Sequence, residues 1–207
     1  GKGTCYFMNN NRYEGMWYAG QQEGEGTMYY YNGDCYVGMW HHDKRNGKGV
    51  YTWKGGAKYD GEWTNDLKNG TGVMIWEDGS KYEGEWKNGE RHGKGTFYYT
   101  NGDKYVGDWN ADVQHGKGVY YFQNGERYEG DYVGGERTGN GVYIYPNGDK
   151  YEGQFKAGWQ EGTGVFTWTN GAVYDGQWVK NQRSGQGFYK WGNGDEYRGS
   201  WKNNMAD

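Results

Sequence analysis

Only two cysteines, Cys5 and Cys35, occur among the 207 residues, and they sit in unrelated sequence contexts. That is no disulfide framework, and it points to a reducing, cytosolic setting. Long hydrophobic runs are missing too. No stretch approaches the about 18 apolar residues of a membrane helix, and no signal peptide is visible. Charge of one sign is also lacking. The formal net charge is −4, whereas a nucleic-acid module or a polybasic membrane anchor is clearly positive. Aliphatic residues are scarce and proline occurs once, while glycine occurs 42 times. Glycine-rich chains are often disordered, but such chains are poor in aromatics. Here 23 Tyr, 12 Trp and 6 Phe can bury a large area, so an ordered chain is expected.

The aromatics and glycines recur. The stretch Tyr82 to Gly95 holds Y-x-G-x-W, from Tyr82 through Gly84 to Trp86, and then G-x-G at Gly93 and Gly95. Both return every 23 residues. The tyrosines are Tyr13, Tyr36, Tyr59, Tyr82, Tyr105, Tyr128, Tyr151, Tyr174 and Tyr197. The glycine pairs open at Gly1, Gly24, Gly47, Gly70, Gly93, Gly116, Gly139, Gly162 and Gly185. Nine units of 23 make 207, so one continuous array over residues 1–207 is expected. A period in this range marks a repeat architecture. Gly1 already opens a unit, as expected if the chain was cut from a longer array at a repeat boundary.

Count each unit from its first glycine. Residues three to seven read as a strand, Gly95 to Tyr99 in the fifth unit, with the seventh always aromatic. Turn residues follow, mostly Asn-Gly, and a second strand carries Y-x-G-x-W. Two β-rich runs joined by Asn-Gly predict a hairpin. Loop length follows from parity. The apolar or aromatic fifth, seventh, thirteenth and seventeenth residues are all odd. Residues directly opposite in a hairpin share a face, so a three-residue loop, Thr100-Asn101-Gly102, keeps the aromatics together, whereas a two-residue loop would split them. Glycine then lies opposite glycine, and the glycines act as seats for aromatic rings. The even face carries Lys or Arg at the twelfth residue, as in Lys81 and Arg127. Acids occupy the fourteenth and sixteenth, as in Glu83 and Glu85. Opposite charges interleave as on a solvated face. About six residues are expected to lead to the next glycine pair. A lone hairpin is marginal, so stacking must stabilise the array. The predicted fold is all-β: an elongated, single-layer antiparallel sheet of nine stacked hairpins, solenoid-like, on the order of 80–90 Å long.

This signature resembles the MORN repeat (membrane occupation and recognition nexus) over the full chain. Departures are mild: Tyr132 and Phe155 replace Trp, Asn10 replaces the turn glycine, and Gly55-Gly56 replaces Asn-Gly. The resemblance implies a non-catalytic scaffold or binding module. MORN arrays occur in junctional membrane proteins, ciliary proteins, some lipid kinases and methyltransferases, and protozoan cytoskeletal scaffolds. A chain made only of such repeats is most similar to the cytoskeletal scaffolds of apicomplexans and trypanosomatids. The implied setting is cytoplasmic and cytoskeleton-associated, with cytoskeletal proteins as partners.

No catalytic constellation is legible. Acid–base chemistry needs two carboxylates in contrasting environments within a cleft; here acids alternate evenly with bases. G-x-G lacks the strand–loop–helix context of a phosphate loop. Cys35, His41 and His42, beside Asp43, form the one cluster with metal-ligand chemistry, and a structural zinc is weighed there against a free cysteine and solvated histidines. His92 and His115 end the fourth and fifth units. Stacking of single-stranded nucleic acid is opposed by the net negative charge. Lipid binding is the chief rival: phosphoinositide headgroups need a basic patch, but Lys81 and Lys104 have acids nearby. An exposed aromatic groove could take an acyl chain as weak lipid contact. A third reading makes the array a positioning device for an enzyme domain elsewhere in a longer chain.

A homodimer joined through the C-terminal units is expected. Strand Glu196 to Trp201 lacks a following G-x-G strand, and an uncapped aromatic edge invites pairing. Val173 replaces Lys or Arg, Phe188 replaces Val or Thr, and Val179 opens a usually polar loop. With Tyr197 and Trp201 they form the expected self-complementary interface.

Overall fold

The computed structural model describes residues 1–207 throughout. It contains no helix. Nineteen strands form an open antiparallel sheet, which divides into two compact units. The first holds Gly1–Thr100 with Trp109–Asp112, the second Asn101–Asp108 with Val113–Asp207.

The first unit starts with a hairpin that sets the pattern. Strand Lys2–Tyr6 pairs with Arg12–Tyr18, placing Cys5 opposite Tyr13 and Gly3 opposite Gly15. The Phe7 N–H donates to Asn11 O at 2.9 Å, and the Asn10 N–H donates to Phe7 O at 3.0 Å. The loop is therefore three residues, with Asn10 at φ 67°. In the second unit Tyr120 faces Tyr128 and Gly118 faces Gly130, and the loop closes through Gly125 at φ 92°. This is the bulged hairpin that parity predicts.

The connection to the next repeat is not the expected six-residue loop. Strand Lys81–Lys87 pairs directly with Glu90–Tyr98, Lys87 opposite Glu90. Only Asn88 and Gly89 turn, at φ 51° and 88°. Two residues at positive φ make the tight turn whose twist suits antiparallel strands. The register then breaks: Gly84 faces Gly95, but Trp86 faces Arg91. Glu85 thus stands alone against a bulge of His92, Gly93 and Lys94. From Gly24 onward the first glycine of each pair has left-handed backbone, as at Gly70 (φ 96°) in its own bulge.

The second glycine has a different reason. A Cβ built on Gly26 would lie 2.1 Å from the Tyr13 hydroxyl oxygen, and one on Gly15 would lie 2.5 Å from it. The tyrosine ring lies across a bare glycine pair. The eight tyrosines from Tyr13 to Tyr174 at this position are wholly buried. Each hydroxyl donates to the backbone carbonyl three residues on, as Tyr82 does to Glu85 O at 2.9 Å, so burial leaves no orphaned O–H.

Each of these rings is held edge-on between two others. In the first unit Tyr36 meets Trp40 of its own repeat at 5.2 Å and Trp63 of the next at 5.5 Å. In the second unit Tyr151 meets Phe155 at 5.2 Å and Trp178 at 5.1 Å. Such T-shaped pairs add about 0.5–1.5 kcal/mol each beyond area burial. The indole N–H reaches back as well: Trp63 Nε1 donates to Gly49 O at 3.1 Å. A single sheet layer thereby acquires a core without a second layer.

Candidate interaction faces

Many of the charges on the even face of the sheet already have partners. Lys81 pairs with Glu83 at 2.5 Å, Lys150 with Glu152 at 3.0 Å and Arg12 with Glu14 at 3.0 Å. The sixteenth-position acids close the bulges. Glu62 accepts from the Thr71 N–H at 2.6 Å, and Asp108 accepts from the Lys117 N–H at 2.9 Å. The Thr71 bonds hold the Glu62 carboxyl below its ordinary range. Asp131 is held low by Lys117 and by the Asn140 N–H. Hydrogen bonds that favour the ionised form depress a carboxylate pKa, and these acids are structural. In the first unit a shallow groove of about 780 Å³ crosses this face. Its floor is Gly15, Gly26 and Gly38, and Met16, Met39, Val37, Lys2 and Lys48 rise around it.

The aromatic face has no layer over it. Its fifth- and seventh-position rings are half-exposed and interlock from repeat to repeat. Tyr51 lies 4.5 Å from Trp53 and 5.6 Å from Tyr30 of the preceding repeat. Tyr145 lies 5.6 Å from Phe166 of the following repeat.

The bulge adds a feature absent from the sequence-based pattern. By shifting the register it turns the twenty-second residue onto the aromatic face. The Arg45 guanidinium lies 4.5 Å from the Trp63 ring. Arg91 stands 4.5 Å from Trp109 and Arg183 stands 4.6 Å from Trp201. Each is clamped by the next tight turn: Arg91 donates from its backbone N–H and from Nε to Asp112 Oδ1, at 2.9 and 3.0 Å. The 23-residue recurrence of Arg45, Lys68, Arg91, Arg137 and Arg183 was the signal that could have revealed this row.

The expected metal cluster is divided. Cys35 begins strand Cys35–His41, opposite Tyr29 and Thr52, while His41 ends it opposite Lys44. Six residues of strand separate the two by about 20 Å. Cys35 is therefore no partner of His41 and His42, and burial pushes its thiol pKa up. Asp43 is occupied by the Gln22 N–H at 2.7 Å. Glu23 comes in instead: ligand atoms of Glu23, His41 and His42 lie within 4.8 Å of one another. His92 occupies a bulge in another repeat, and His115 lies in strand Val113–Tyr121.

The expected dimer residues also separate. Val173 is half-buried between Thr167 and Lys190. Phe188 is half-buried with the Arg198 guanidinium 4.3 Å from its ring. Val179 is 48% exposed, and Tyr197 is half-buried. Trp201 is a core residue, packed on Tyr174 at 5.2 Å and Tyr189 at 5.7 Å, so it is not on a contact surface.

The MORN repeat profile matches residues 13–35, 36–58, 59–81, 82–104, 105–127, 128–150, 151–173, 174–196 and 197–207. The chain belongs to the MORN-repeat family. The MORN repeat is phased from the buried tyrosine, twelve residues after the glycine that opens each unit above. No curated protein matches the chain. Among solved structures it is similar to the TCP domain of SAS-4 (dCPAP) from Drosophila melanogaster, solved with a proline-rich motif of Ana2. Identity there is 13%, covering 97% of this chain and 90% of that one, with a TM-score of 0.43. The G-box domain of the microcephaly protein CPAP also matches: 13% identity, 98% and 100% coverage, TM-score 0.40. The TCP10 domain of Danio rerio CPAP matches at 13% identity, 99% and 95% coverage, TM-score 0.36.

Proposed function

We propose that this MORN array is a non-catalytic, cytoplasmic scaffold that self-associates and organises cytoskeletal or membrane-associated protein assemblies. The observation that carries this reading is the uncovered aromatic face. Every repeat offers a partly exposed ring at its seventh position and most offer another at the fifth, with clamped cations in several repeats, and half-exposed aromatics beside arginine are typical of protein contacts. The even face opposes anion binding, because lysines such as Lys81 and Lys150 are already paired with acids on their own strands. We place the self-contact on the C-terminal repeats, where Val173 and Val179 put apolar groups at positions that are charged or polar in most other repeats and Phe188 puts a ring where the others carry Val or Thr; Tyr197 flanks them.

The test uses one double variant drawn from the array itself. Val173→Lys with Phe188→Thr restores residue types that other repeats carry at those positions, and should shift sedimentation velocity toward the monomer. An unchanged dimer would move the contact elsewhere. Lipid binding is the second reading, kept because MORN repeats serve as membrane modules too. Co-sedimentation with vesicles containing phosphatidylinositol bisphosphate, at about 150 mM salt where the Debye length is about 8 Å, should leave the protein in the supernatant. Recovery with those vesicles, and not with neutral ones, would favour the lipid module.

A further inference from the structure

Three side chains in the first unit meet where a bulge faces the next tight turn. Glu23 sits in the bulge that strand Gln21–Tyr29 makes against Arg12–Tyr18. His41 ends the following strand, and His42 is the first turn residue at φ 47°, a conformation that histidine tolerates better than most side chains. The Glu23 carboxylate is already fixed: Oε2 accepts the His42 backbone N–H at 3.0 Å, and Oε1 lies 2.8 Å from His41 Nδ1. The two imidazole centroids are 4.0 Å apart. His42 Nδ1 contacts Gln21 Oε1 at 2.8 Å. Since a glutamine oxygen only accepts, that nitrogen carries the proton and Nε2 keeps its lone pair. A second hydrogen bond of this kind commonly orients metal-bound histidine.

The array supplies its own comparison. The twenty-third residue regularly caps the turn of the next repeat, as Glu161 does for the Lys180 N–H at 2.9 Å. Val179 and Lys180 there take the places of His41 and His42. Asn46 and Asn69 cap Asn65 and Asn88 likewise. Capping therefore needs a side-chain oxygen but no histidine. The adjacent pair His41–His42 occurs once and serves no packing role, since both rings are exposed.

We infer that Glu23, His41 and His42 bind a divalent transition-metal ion of the zinc class, independently of the proposed scaffold role. Two imidazoles and a carboxylate are a zinc donor set, and three protein ligands leave one position for water. The group's 4.8 Å span brackets the about 3.3 Å edge that follows from tetrahedral bonds near 2.0–2.1 Å. On binding, the proton shared by His41 Nδ1 and Glu23 Oε1 leaves to solvent, and both atoms ligate the ion. The ion would clip the second repeat's turn to the strand before it.

The test is isothermal titration of the untagged, chelator-treated chain with zinc chloride, checked by the visible bands of tetrahedral Co²⁺. The expected result is one ion per chain. His41→Thr with His42→Asn copies the turn that Thr64 and Asn65 make in the next repeat, so the variant folds, and its affinity should fall at least about tenfold. Glu23→Gln keeps the capping oxygen and should also weaken binding, while Cys35→Ser should not. No saturable zinc binding by the wild type, equal binding by the double-histidine variant, or loss of binding only in Cys35→Ser would overturn the assignment.

Discussion

At the scale of single residues, two glycines that look alike in sequence answer to different forces. Gly95 leaves room for the Tyr82 ring: a Cβ there would sit 2.2 Å from the hydroxyl oxygen. Gly95→Ala should lower stability in urea by at least about 1–3 kcal/mol, the usual cost of overpacking. Gly134, at φ 58° with nothing near its missing Cβ, should accept Asn within about 0.5 kcal/mol. Equal effects at the two sites would undo the distinction. The tyrosines also set a pH limit. Burial is the chief cause raising the Tyr13 pKa from 10.0 to about 12, and it raises those of Tyr36, Tyr59 and Tyr82 as well. The folded state thus keeps phenolic protons that the unfolded chain releases. Their stabilisation is complete below pH 10 and declines above it, by up to about 1.4 kcal/mol per pH unit for each tyrosine. Unfolding on alkaline titration, followed by tyrosinate absorbance, should therefore be steep above pH 10; gradual ionisation with the fold intact would contradict it. The glycine seats were legible because Y-x-G-x-W puts a glycine two residues from each tyrosine. The bulge glycine was not, since G-x-G says nothing about φ.

At the scale of the hairpin, the odd-residue pattern was enough to fix the three-residue loop and the shared aromatic face. The second connection was misread because its polar residues suit a loop and a solvent-facing strand equally well. Asn88-Gly89 is a strong turn signal by itself, but the bulge that follows reverses inside and outside, and no alternation rule anticipates that. Arg91 is the consequence: a charged residue half-buried among rings on the apolar face. Arg91→Ala should destabilise by about 1–3 kcal/mol through the lost hydrogen bonds to Asp112 and the lost stacking on Trp109. Arg91→Lys should cost less, because Lys68 holds the same place with its ammonium 4.1 Å from the Trp86 ring. A double-mutant cycle with Asp112→Gly, which copies Gly89, should show coupling near about 1 kcal/mol. No coupling would mean that the clamp carries little of the energy. The proposed metal ligands were half legible for the same reason: His41 and His42 stood out by type, but bringing them together with Glu23 instead of Cys35 required the register.

At the scale of the whole chain, stability should be close to a sum of repeats and their neighbour contacts. Deleting residues 59–81, one full period inside the first unit, should leave a folded protein with a lower urea midpoint. Deleting 59–80 should not, because the one residue left over would put Tyr82 and Gly84 out of register with Tyr51 and Gly49, the partners that Tyr59 and Gly61 have now. Equal stability of the two deletions would argue against a strictly periodic core. The array itself was legible from its period alone. Its surface was less so: Trp201 read as an exposed edge ring and is core, because Arg183, Tyr174 and Tyr189 close around it. The central functional claim, a scaffold built through self-association, is tested most directly by light scattering of the pure chain over a concentration range at about 150 mM salt. The expected mass rises from 23.8 kDa toward twice that value, 2 × 23.8 = 47.6 kDa. A mass of 23.8 kDa at every concentration would contradict it.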